Sequence, residues 1–146
     1  MRQAIGNAFI LNLVITFIAL MMLVFVGSIS YSKSYKVKNK IINLIENNKG
    51  YNEEVSDDIE EVLGDVGYQI SNNQNCDRFV VGEDSQIVYP TSEFRSGYRY
   101  CIIENTTSDG KYYTVVTFMK FDFPVIGNFV EFPVKGETKI MSNIWN

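Results

Sequence analysis

The chain contains no histidine. That removes the commonest acid–base side chain and the commonest zinc ligand. Its only cysteines are Cys76 and Cys101, too few to build a zinc site alone. It has no glycine-rich phosphate loop, no zincin helix and no nucleophile elbow. The acid pair Glu60 and Glu61 is adjacent, so on a helix the two carboxylates point to different parts of the surface. Ser32/Lys33 and Ser34/Lys36 fall beside a long apolar run, where headgroup contact accounts for the lysines better than nucleophilic chemistry does. The expectation is a protein that is not an enzyme and needs no cofactor. Internal repeats and low-complexity stretches are also missing.

Charge is missing where it would matter for folding in water. Residues 8–26, AFILNLVITFIALMMLVFV, hold none, and with Gly27, Ser28 and Ile29 the stretch reaches 22 residues. At about 1.5 Å per residue this matches a hydrocarbon core roughly 30 Å thick. A buried core helix of that length would need a large domain around it, and the chain has only 146 residues. A cleaved signal peptide has a shorter apolar core, of about 7–15 residues, and the periodic pattern here continues past it. Residues 7–29 therefore read as a transmembrane helix, and the lipid bilayer as a partner.

Basic charge is scarce beyond residue 49. Residues 50–146 carry seven Lys or Arg against 16 acids, a balance of −9, so nucleic acid is excluded as an ordinary electrostatic partner. Lys33, Lys36, Lys38 and Lys40 instead crowd the end of the apolar run. By the positive-inside rule they place the C-terminal domain in the cytoplasm. The cysteines argue the other way. A Cys76–Cys101 bridge suits an oxidising outer compartment, the alternative being two separate buried thiols.

Past Ile29, Val37, Ile41, Leu44 and Ile45 recur at helical spacing, so residues 30–49 read as an amphipathic continuation of the same helix, from about residue 5 to 48. A break at Gly27-Ser28 is the alternative. Gly50 is available as its C-cap. Asn52 caps a second helix over about residues 53–65, with Glu53 and Glu54 in its first turn and a solvated acidic face. Residues 50–146 then read as a small globular domain with short strands at residues 78–81 and 86–89. Longer strands are expected at 98–104 and 111–121, flanking NTTSDG with its Asp109-Gly110 hairpin signal. An edge strand limited by Pro133 and a last strand at residues 138–141 complete the set. One face of the strand at 111–121 would pack under the long helix, and the other would meet a neighbour. The fold class is α+β: a long helix on a small antiparallel sheet, with one extra short helix.

Three groups of residues invite functional readings. Asn12 and Thr16, four apart within the span, are polar groups that seek partners on neighbouring helices. Gly6, Ala8, Ala19 and Gly27 permit close approach. Tyr98, Tyr100, Tyr112 and Tyr113 cluster on the paired strands, as a recognition surface or as ordinary strand packing.

A short basic start, Gly6, an unbroken apolar helix and its amphipathic continuation resemble a pilin or pseudopilin. The resemblance implies a leader of residues 1–6, cleavage between Gly6 and Asn7 by a prepilin peptidase on the cytoplasmic face, and a globular part outside the cell. The glutamate usual five residues into the mature chain falls at Leu11 here, a departure from ordinary type IV pilins and type II pseudopilins. The closer likeness is to TadE-like minor pilins of tight-adherence systems, whose hydrophobic turn and glycine-containing strand are similar to Phe123–Lys139. The function implied is a structural subunit of a pilus or secretion system, assembling with other pilin-like subunits through the N-terminal helix. The competing reading is a single-pass anchored binding module, or an accessory subunit of another envelope complex.

Overall fold

The apolar run and the amphipathic stretch belong to one helix. The computed structural model describes residues 2–68, 76–90, 100–121 and 130–142. Helix α1 runs Arg2–Asn47 with no break at Gly27-Ser28. Its 46 residues make a rod of about 69 Å. Residues 8–26 are exposed throughout, whereas Ser34, Val37, Lys38, Ile41 and Ile45 are buried at helical spacing. The change falls where side chains begin to alternate between apolar and polar around the helix.

The end of α1 differs from the expected glycine cap. Gly50 N–H donates to Ile45 O and Lys49 N–H to Glu46 O. Lys49 itself holds the left-handed conformation, φ 55°, and Gly50 follows it. Helix α2, Glu53–Val66, starts on Asn52, whose side chain accepts from Val55 N–H at 2.9 Å, and closes on Gly67. Val55, Ile59 and Leu63 form its buried stripe.

The sheet is an antiparallel meander, β1(Ser85–Tyr89), β2(Tyr100–Thr107), β3(Gly110–Phe121) and β4(Val130–Glu137), in that spatial order. Several boundaries correct the sequence reading. Residues 77–79 form a short 3-10 turn rather than a strand. Asn105, Thr106 and Thr107 belong to β2, so the hairpin turn is Ser108-Asp109 alone and Gly110 opens β3. The threonine side chains suit a pleated ladder, and Thr107 Oγ1 ties the turn by donating to Gly110 O at 2.8 Å. Residues 138–141 give one isolated bridge, Lys111 to Met141, rather than a strand.

Pro133 does not interrupt β4. Opposite it, Phe118 turns its own polar groups elsewhere: its N–H donates to the Tyr68 hydroxyl at 2.7 Å, and its carbonyl accepts from Tyr68 and from Ser34. The ladder therefore asks for no N–H at position 133.

Both faces of the sheet are covered by the chain itself. On one, α1 and α2 bury Tyr89, Tyr100, Ile102, Tyr113 and Val115. On the other, Phe79 and the Cys76–Cys101 disulfide cover Ile103, Val116 and Phe118. The chain itself thus covers the second face of β3 at Val116 and Phe118. The expected Tyr98, the turn beginning at Phe123 and the tail at Trp145 lie outside the described residues.

Candidate functional site

The uncovered half of α1 is one side of the question. Successive helical residues step by about 100°. Ala8, Asn12, Thr16 and Ala19 therefore share one face, whereas Gly6 lies about 120° round from Asn12. Phe9, Leu13, Phe17 and Leu20 flank the two polar residues in a shallow apolar groove. Thr16 Oγ1 donates to the Asn12 carbonyl at 2.8 Å, so its hydroxyl is satisfied within its own helix. The Asn12 carboxamide has no such partner among the described residues. An unpaired amide would be costly in hydrocarbon, so of the two polar residues Asn12 is the one left without a partner in its own helix. Gly6 is exposed, and Asn7 continues the same helix.

The tyrosines are the other side, and of the three that are described the structure turns Tyr100 and Tyr113 inward. Tyr100 is fully buried and Tyr113 is 5 % exposed, so neither belongs to a recognition surface. The reason is the alternation along paired strands: even residues of β2 and odd residues of β3 share the helix-covered face. Tyr100 stacks on Tyr89 with centroids 4.0 Å apart and planes within 6°. Burial, with Tyr89 and Tyr51 nearby, pushes the Tyr100 hydroxyl far above its ordinary range. Tyr112 lies on the opposite side and is half-buried.

Tyr113 instead serves a carboxylate. Glu104, 8 % exposed, accepts from Tyr113 OH at 2.8 Å through one oxygen. Its other oxygen takes Lys111 Nζ at 2.8 Å and Gln86 Nε2 at 3.2 Å. Burial alone would raise the carboxyl, but the Lys111 and Tyr113 hydrogen bonds outweigh it and hold it below its ordinary value. Burial and then the Glu104 hydrogen bond push Tyr113 up to about 12. Every oxygen of this carboxylate is occupied, so the cluster ties β1, β2 and β3 to one another and offers no free base.

Cys76 and Cys101 form a disulfide with Cα atoms 5.9 Å apart. Sequence reasoning missed the paired rings of Tyr31 and Tyr35, whose centroids lie 6.1 Å apart just past the apolar run. Their spacing of four on a continuous helix was the available signal.

Comparison with family models, with curated proteins and with solved structures finds no match for this chain.

Proposed function

We propose that this chain is a non-enzymatic structural subunit: a minor pilin or pseudopilin of a Tad/type IV-like pilus or secretion system. One observation carries the reading. A single unbroken helix leaves its apolar first half uncovered and uses its second half as the cover of an antiparallel sheet. Such a rod has one end suited to lipid, or to a bundle of like helices, and another fixed in a folded head. Residues 7–29 would cross the membrane, and Asn12 would pair across helices in the assembly. The head would lie outside the cell, where the Cys76–Cys101 disulfide persists.

Two of the four juxtamembrane lysines have structural work, which gives them a reason to be there other than orientation. Lys33 donates to Gly67 O at the end of α2, and Lys38 is buried with its ammonium 4.3 Å from the Tyr35 ring centroid.

Mass spectrometry of chain purified from native surface filaments tests the proposal. The expected N-terminus is Asn7, left by cleavage after Gly6. A chain that keeps Met1 and never co-purifies with filaments would leave the anchored accessory subunit as the reading.

A further inference from the structure

An open cleft lies where α1 leaves its uncovered half, between that helix and the C-terminal end of α2. It is lined by Ser28, Ile29, Ser32, Lys33, Lys36 and Val66. Ser28, Ser32 and Lys36 repeat every four residues on one exposed face of α1. A helix C-terminus carries partial negative charge, which would repel an anion. Here Lys33 answers it by donating to Gly67 O, and the amides of Gly67 and Tyr68 take Gly64 O and Leu63 O. Lys36 has no acidic partner among the described residues. The cleft therefore offers one uncommitted ammonium and two hydroxyls beside two apolar side chains.

Depth decides what such a cleft would meet. Ile29 is the last residue of the apolar run. Ser32 and Lys36 stand about 4.5 and 10 Å beyond it along the helix, within or just above a headgroup layer of roughly 5–8 Å. The flexible Lys36 stem can lean back toward that layer. The stacked Tyr31–Tyr35 pair lies at the same level, where aromatic rings mark a membrane–water boundary. A phosphodiester between glycerol and a polar head has the matching order of parts, apolar below and anionic above.

We infer that this cleft seats the phosphate of an anionic phospholipid. Lys36 pairs with the phosphate, Ser28 and Ser32 donate to its oxygens, and Ile29 and Val66 pack on the glycerol end of the acyl chains. The site fixes the head of the molecule close over the membrane through α2. It rests on the membrane-anchored part of the proposed function.

The test reconstitutes the full chain in vesicles of phosphatidylcholine alone, or of phosphatidylcholine mixed equally with phosphatidylglycerol. The rate of amine labelling at each lysine is read by peptide mass spectrometry. Lys40, exposed on the same helix, reports the general surface charge. The expected result is that phosphatidylglycerol slows Lys36 relative to Lys40 by well over the roughly fivefold that diffuse attraction to an anionic surface is worth for one lysine, and that Ser28→Ala with Ser32→Ala, which leaves charge and depth unchanged, removes the excess. Slowing of Lys36 by about fivefold or less relative to Lys40, or slowing that the serine variants leave unchanged, means diffuse attraction and overturns the site. Equal protection of Lys36 by inorganic phosphate, with the chain in non-ionic detergent, would assign the cleft to a free anion and overturn the lipid. Failure of the chain to float with either vesicle would overturn the anchor itself, a result distinct from an anchored chain with an unprotected Lys36.

Discussion

At the residue scale the most informative position is Glu104, because a buried carboxylate has to be explained. Its oxygens are filled by Lys111, Gln86 and Tyr113, and its pKa is held below the ordinary 4.5. A carboxyl with a depressed folded pKa stabilises the fold above its unfolded pKa. That contribution fades as pH falls below about 4.5 through the folded value. Glu104→Gln should therefore lower stability at neutral pH by about 1–3 kcal/mol, and the gap to the parent should narrow in acid. Urea melts of the parent and the variant across the acid range check this, and a pH-independent gap would show that the carboxylate charge is not the cause. Tyr113→Phe removes one donor and leaves the other two in place, so its cost should be smaller, about 1 kcal/mol. Tyr113 itself contributes in the opposite sense. Its hydroxyl, raised to about 12, adds stability below its ordinary 10.0 that is lost as pH rises through the folded value. None of this cluster was legible as such in the sequence. Glu104 and Tyr113 are cross-strand partners, and that pairing depends on a two-residue turn at Ser108-Asp109, one position earlier than the Asp109-Gly110 signal suggested.

At the element scale the helices were legible and the strands were only partly so. Both helices declare themselves locally, through the 3.6-residue recurrence of Val37, Ile41 and Ile45 and through Asn52 as a cap. The limits of the strands depend on what they pair with. Thr106 and Thr107 read as loop until Lys111 and Gly110 stand opposite them, and Phe79 reads as strand until the disulfide draws it across the outer face. Two predictions belong here. Gly136 lies where β4 meets α1, and a Cβ there would sit 2.7 Å from Lys38 Cδ and 2.9 Å from Ile42 Cδ1. Gly136→Val should force the helix off the strand and cost about 1–3 kcal/mol, read as a lower urea midpoint. An unchanged midpoint would mean that the Lys38 and Ile42 side chains simply give way. The disulfide spans 25 positions, and on loop-closure arithmetic its loss should cost about 3–4 kcal/mol. Melts with and without reductant measure it, and fluorescence of a probe at position 81, exposed beside the covering segment, should report that segment loosening.

At the scale of the whole molecule, the relation between the two halves of α1 was legible, because an uncharged run and an amphipathic run follow each other without a stop signal. The covered outer face of the sheet was not. Val116 and Phe118 alternate like an exposed apolar stripe, and only the fold brings Phe79 and the disulfide onto them. The uncovered half of α1 is the surface on which the proposed assembly would act. Asn12→Leu should keep the chain in the membrane and remove it from filaments, since leucine is at ease in lipid and has no amide to satisfy. Orientation is the remaining issue, because the lysines past the span and the disulfide point to opposite sides. The cysteines are poor reporters of it, being bonded to each other and buried. Lys139 is a better one: its side chain is 88 % exposed, and its ion pair with Glu46 is long, at 3.9 Å. An amine reagent that cannot cross membranes should label Lys139 on intact cells. Exposed surface pairs of this kind contribute little and exchange readily with solvent, so Glu46 would not shield it. Labelling that appears only after the cells are permeabilised would put the head inside, give the four lysines their ordinary meaning, and end the pilin reading.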